Sequence, residues 1–476
     1  MGKLFFAIAI LIGIFMFICP LSNMMIHVDE YWTVSLINLP FIEGMRVAAC
    51  DVHPPLHYLI IYALSPITHN SLFALKVISI IPYLMILAIS VTKIRKDYGW
   101  LTSGVFAFAI GTMSIFFIEF LTVRMYPWAI LFMILSFIYF KEVIDKFDRR
   151  SWILLTLFTL LGSYTHYFLL ITCGLMYLLL LAHILRSPDK REKVKSWIYS
   201  VISLVILYVP WFLILMRQIG TQMNVTYKDM TLADIFNYIT SFAINNPDFT
   251  VEMILLKVLA IIFVGFVIYL IYKHNAKYEA SGIFLMFATL IVGVAILSVS
   301  FRPLEVRYLI AAIAIFWLSV SILLSKIEDD KILAILLAFI LIFSAASIII
   351  THDESLSRID WQNDRTEFLD SINNNSTVMV YNTNFGYMFI HDGVNKTTEY
   401  SVSDTYFFDD NVKICEKIDQ IIDKNPKKNI YLVNWKSADK SKKYVKTLNL
   451  TEEYFSGEVA VLKLIEPPHP IEDGDS

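Results

Sequence analysis

Residues 72–96 read LFALKVISIIPYLMILAISVT followed by KIRK: an apolar run of 21 residues with one charge inside it, Lys76, closed by Lys93, Arg95 and Lys96. At about 1.5 Å of rise per residue, a helix of that length crosses about 30 Å of hydrocarbon, and a basic end marks the cytoplasmic face. The pattern recurs along the first 350 residues, with eleven apolar stretches at about 4–21, 72–92, 101–118, 127–140, 152–165, 168–185, 197–215, 251–272, 281–299, 307–325 and 332–350. Each predicts a transmembrane helix. Cys19-Pro20 is not a small-residue cleavage site, so stretch 4–21 reads as an uncleaved first helix rather than a signal peptide.

Composition excludes several other classes. The chain has 476 residues, of which 57% are hydrophobic and only 17% charged, too few polar groups to cover about three soluble domains. A net charge of −3 leaves no basic face for nucleic acid. Cys19, Cys50, Cys173 and Cys415 lack CxxC spacing, so they read as single thiols rather than a disulfide framework or thiolate metal site. Charge is uneven: residues 1–350 carry 25 basic and 20 acidic side chains, the last 126 residues 14 and 22. A transmembrane domain, 1–350, is therefore followed by an acidic soluble domain, 351–476. Short apolar strands at 377–381 and 429–433, with a helix at 411–424, make that domain α/β. The acidic end, 472–476, reads as disordered.

Orientation follows from the short loops. Lys93 to Lys96, the loop 141–150 and the loop 186–195 fall on one side; with Lys3, Lys273, Lys277, Lys326 and Lys331, that side holds 17 of the 25 basic residues. The positive-inside rule assigns it to the cytoplasm and puts the C-terminal domain outside. The membrane is the plasma membrane, or the endoplasmic reticulum in a eukaryote. Sequons at Asn224, Asn374, Asn375, Asn395 and Asn449 fall on the outer side. This arrangement requires 54–69 to lie along the surface, within a first outer loop, 22–71, long enough to carry function.

That loop holds His27-Val28-Asp29-Glu30-Tyr31-Trp32 and Asp51-Val52-His53-Pro54-Pro55-Leu56-His57-Tyr58. Asp29-Glu30 reads either as a helix cap with first-turn charge or as a catalytic pair, and His-Pro-Pro as a rigid helix start or part of a site. A divalent cation among His27, Asp29, Asp51 and His53 stays open, since the four share a side but no compact ligand spacing. Further along lie Glu119 to Tyr126 (EFLTVRMY), Thr165-His166-Tyr167-Phe168 and Arg302 to Leu309 (RPLEVRYL), each on an outer loop.

In order and side, these pieces resemble the dolichyl-phosphate-mannose protein mannosyltransferase and aminoarabinose transferase group of GT-C membrane glycosyltransferases. The likeness covers most of residues 1–325 and departs from the usual Gln-Glu-Ala-Arg run around Glu119. It implies a GT-C-like fold and a monosaccharide donor carried on a polyprenyl phosphate. It also implies an acceptor outside the cytoplasm, whether protein, glycan or lipid. On this resemblance Asp29 is the general base, and Glu30, His53, Glu119, Arg124, Tyr126, His166, Arg302, Arg307 and Tyr308 bind substrate. Guanidinium groups match a leaving phosphate in forked geometry. Read singly, each arginine also fits snorkelling to headgroups, and each aromatic residue an interfacial belt. A polytopic transporter or lipid flippase is the competing class, although the spans carry almost no ionisable residues near their centres. A membrane receptor is a third reading.

Overall fold

The computed structural model describes residues 1–22, 28–50, 52–222, 231–299, 304–372, 374–381, 398–401, 420–425, 427–435, 450–456 and 459–464. The helices are α1 (Gly2–Ser22), α2 (Val28–Ile37), α3 (Phe41–Cys50), α4 (Leu56–Thr68), α5 (Leu72–Ile89), α6 (Arg95–Thr112), α7 (Ser114–Phe120), α8 (Tyr126–Lys146), α9 (Arg149–Ser163), α10 (Tyr167–Leu185), α11 (Lys190–Gln222), α12 (Leu232–Thr240), α13 (Val251–Lys273), α14 (Lys277–Val299), α15 (Ile310–Leu324) and α16 (Asp330–Ile372). A helix occupies each of the eleven apolar stretches. By length and composition, eight helical runs among the described residues are able to cross a membrane; one of them is 72–112. This chain is a multi-pass membrane protein.

Run 72–112 is two helices. A π-helical turn, Ser90–Ile94, follows α5, and Gly99 then takes φ 85° and ψ 178°, a backbone region open essentially only to glycine. The Ser103 hydroxyl donates to the Ser90 carbonyl at 2.7 Å, a contact that a straight helix forbids at a separation of thirteen residues. The chain therefore turns back at Gly99, with Lys93, Arg95 and Lys96 beside the turn. At Met113 an extended backbone separates α6 from the short α7.

The chain divides into two compact units, Met1–Met24 with Leu39–Asp353, and Met25–Asn38 with Glu354–Ser476. In the first, α15 is the central helix: every residue from Ile310 to Leu324 is buried, as expected of a helix apolar on all sides. It packs closely on α14, where a side chain at Gly282 would collide with the Ser319 hydroxyl and the Ile315 carbonyl. At one end of the bundle, paired side chains join the basic loops. Lys93 pairs with Asp97 (2.5 Å) and Glu142 (2.6 Å), Lys141 with Asp145, and Lys326 with Glu279 (2.9 Å). We refer to this as the basic end.

In the outer loop, α4 starts at Leu56 with Pro55 in the cap position, so His-Pro-Pro does form a rigid helix start. At 13 residues α4 spans about 20 Å, too short to cross. In the second unit the described strands are β1 (Thr377–Tyr381), β2 (Thr398–Ser401), β3 (Asn429–Trp435), β4 (Leu450–Ser456) and β5 (Val459–Leu464). They form one sheet in the order β2-β1-β3-β5-β4, with β2, β1 and β3 parallel and β5 and β4 antiparallel. The expected helix 411–424 lies outside the described residues up to 419, as does the acidic end. The described 420–424 are helical.

Candidate active site

Four segments meet at the end of the bundle opposite the basic loops: 52–55 before α4, 121–125 before α8, 164–166 before α10, and 304–309 before α15. Antiparallel alternation of the helices requires this sharing of one end. The Leu56 amide donates to the Tyr164 carbonyl at 2.9 Å, fastening the start of α4 to the start of α10. The buried Lys76 amine, one turn into α5, donates to the Leu121 carbonyl at 2.9 Å and fixes the segment that carries Arg124. A short 3-10 turn, Val306–Leu309, delivers Arg307 and Tyr308 at the head of α15.

His166 is the hub. Its ring centroid lies 5.4 Å from Tyr126, 5.6 Å from Tyr308, 6.0 Å from Phe168 and 6.1 Å from His53, the last pair stacked. Nδ1 accepts the Phe168 amide at 3.2 Å, which caps α10 and leaves the hydrogen on Nε2. Arg307 lies 5.7 Å over the Tyr126 ring and pairs with Glu305 at 2.5 Å. Arg124 and Glu119 are buried, and both act electrostatically on Tyr126.

Three histidines are neutral here. Burial first, then the charge of Arg124, pushes His57 down to about 3. Burial, then Arg307 and Arg124, does the same for His166, also to about 3. His53 is held well below the usual imidazole range by burial, with Arg124 the largest charge acting on it. The site thus offers two fixed positive charges, neutral imidazole N–H donors and aromatic faces, an arrangement suited to an anion with an attached polar ring.

Of the residues expected from sequence, His53, Glu119, Arg124, Tyr126, His166, Arg307 and Tyr308 come together in the first unit. Arg302, His27 and Asp51 lie outside the described residues. Asp29 falls in α2, although its side chain lies outside them too; Glu30, also in α2, is buried in the second unit. Sequence reading gave no role to His57 or Lys76. The signal for His57 was its place four residues after His53, on the same approach to α4, and for Lys76 a lone charge in an apolar run. Among the described residues no group of three or more His, Cys, Asp or Glu is placed to hold a metal ion. Among the described residues, the arginines acting on His53 are Arg124 and Arg307.

No protein-family model and no curated protein matches the sequence. Solved structures do match in fold. ArnT from Cupriavidus metallidurans in the apo state aligns at a TM-score of 0.58 over 98% of this chain and 99% of that one, at 9% identity. The same protein bound to undecaprenyl phosphate aligns at 0.59 with the same coverage and identity. This chain has the GT-C fold. At 9% identity the likeness is one of fold.

Proposed function

We propose that this protein is a membrane glycosyltransferase that moves a monosaccharide from a polyprenyl-phosphate donor to an oxygen nucleophile on a protein, glycan or lipid outside the cytoplasm. The observation that carries the reading is the convergence of Arg124 and Arg307 on Tyr126 and the neutral His166 at one end of a GT-C bundle. An apolar carrier tail stays in the bilayer while its phosphate meets these guanidinium groups. The solved ArnT with undecaprenyl phosphate is consistent with such a ligand for this fold.

In the proposed reaction the acceptor hydroxyl gives its proton to the Asp29 carboxylate as its oxygen bonds to the anomeric carbon. The bond from that carbon to the phosphate oxygen breaks, and the phosphate keeps the electron pair. One displacement inverts the anomeric centre. The leaving phosphate needs no protonation, since Arg124 and Arg307 stabilise the charge it gains. The His166 Nε2–H is a neutral donor for a phosphate or sugar oxygen. Asp29 enters on the family resemblance alone; Glu30, Glu119, His53, Arg302 and Tyr308 complete the proposed substrate contacts. The basic loops face the cytoplasm in this reading, and the C-terminal domain lies on the other side.

The test is transfer of label from polyprenyl-phosphate sugars to candidate acceptors by purified protein. Asp29→Asn should slow donor-dependent transfer at least about 10²-fold, as loss of a general base does. Equal turnover by both forms removes Asp29 from the mechanism, and no transfer from any donor removes the reading.

A further inference from the structure

Glu305 and Arg307 form an ion pair at the rim of the site, 2.5 Å from Oε2 to Nε, with side chains 45% and 25% exposed. Glu305 and Asp234 both act electrostatically on the Tyr238 hydroxyl, so the rim segment lies near α12. Arg307 is already paired with the Glu305 carboxylate, so a phosphate arriving at that guanidinium competes with it. Glu119 is buried. Glu305, nearly half exposed, is the carboxylate able to turn into water.

The chemistry of the proposed reaction makes that exchange matter more at the end than at the start. A sugar-linked carrier phosphate is a diester with one negative charge, whereas the freed carrier phosphate is a monoester with about 1.5 to 2 at pH 7. The same two arginines therefore hold product more tightly than donor. We propose that Glu305 is a built-in competitor for Arg307, whose return to the guanidinium displaces the freed lipid phosphate and so promotes product release. The proposal rests on the glycosyltransferase reading. It concerns positioning: Glu305 touches Arg307, and the covalent step is unchanged. Exposed ion pairs form and break at little cost, so the competition shifts the bound fraction by about two- to fivefold.

The experiment measures binding of undecaprenyl phosphate to the full-length protein in nanodiscs, together with inhibition of turnover by that lipid. Glu305→Gln should bind it about two- to fivefold more tightly and be inhibited at correspondingly lower concentration, with lower kcat at saturating donor. Glu305→Asp, which keeps the charge on a shorter arm, should fall between the two and serves if the amide variant does not fold. Loss of fold would weaken binding, the opposite sign. Binding equal to or weaker than wild type in the variants overturns the role of Glu305 while leaving the glycosyltransferase reading standing. Failure of the wild-type protein to bind the lipid overturns that reading and this inference with it.

Discussion

At the scale of single residues, the site sets permanently charged guanidinium groups beside imidazoles that burial keeps neutral. A charge-assisted hydrogen bond to phosphate contributes about 1.5–3 kcal/mol, so Arg124→Ala should lower kcat/KM for donor by about ten- to a hundredfold and leave acceptor dependence nearly unchanged. Steady-state kinetics with each substrate varied in turn checks this; equal losses for both would make Arg124 structural. The histidines give a pH signature. In the unfolded chain an imidazole titrates near 6.5, and in the fold His57 and His166 titrate at about 3. Between those values the unfolded chain binds more protons, so stability falls as pH drops from about 6.5 toward 3 and these groups add no slope above 6.5. Thermal unfolding in detergent from pH 8 to pH 4 should show a falling midpoint below about 6.5, and a midpoint rising on acidification would contradict their burial as neutral rings.

At the scale of elements, two local devices position the bundle. Gly99 turns α5 back as α6 with φ 85°, and a Cβ there would meet nothing within 4 Å. Gly99→Ala is therefore a purely conformational change, expected to cost about 1–3 kcal/mol and to lower the unfolding midpoint without altering packing. The second device is Lys257, fully buried in α13. Its amine donates to Asn237 Oδ1 of α12 and to the Asp248 carbonyl at 2.9 Å, and lies 4.2 Å over the Phe249 ring. It pins the segment 231–250 to the bundle. Lys257→Met keeps the volume and strands those acceptors, a loss of about 1–3 kcal/mol. Faster amide hydrogen exchange across 232–249, with α15 unchanged, is the expected result; uniform exchange across both would place the lysine's role elsewhere.

At the scale of the whole molecule, paired side chains sort the loops of the helical unit into two sets. Lys93, Glu142, Lys326 and Glu279 gather at one end, and Tyr126, His166, Tyr308 and His53 at the other. Single cysteines placed at His69 and Glu305, in a background without reactive thiols, should react with an impermeant maleimide from one face of sealed vesicles. Cysteines at Lys96 and Arg191 should react only from the opposite face. Labelling of Glu305 and Lys96 positions from the same side would overturn the topology.

The sequence by itself marked the apolar stretches, all of them helical in the structure and most of them within the eight runs able to cross, because crossing hydrocarbon demands about twenty apolar residues in a row and leaves that mark in a local window. It placed the basic loops on one side and read His53-Pro54-Pro55 as either a rigid helix start or part of a site, also from short-range pattern. It brought Arg124, His166 and Arg307 onto one side, and family resemblance gave them a common purpose. Only the tertiary structure decided that these residues meet around Tyr126, that His57 and Lys76 belong with them, and that Glu305 occupies Arg307. Those contacts join residues tens to hundreds of positions apart, and helix packing rather than any local periodicity sets which side chains face each other. The charge state of the histidines has the same origin, since burial and neighbouring arginines are properties of the folded arrangement.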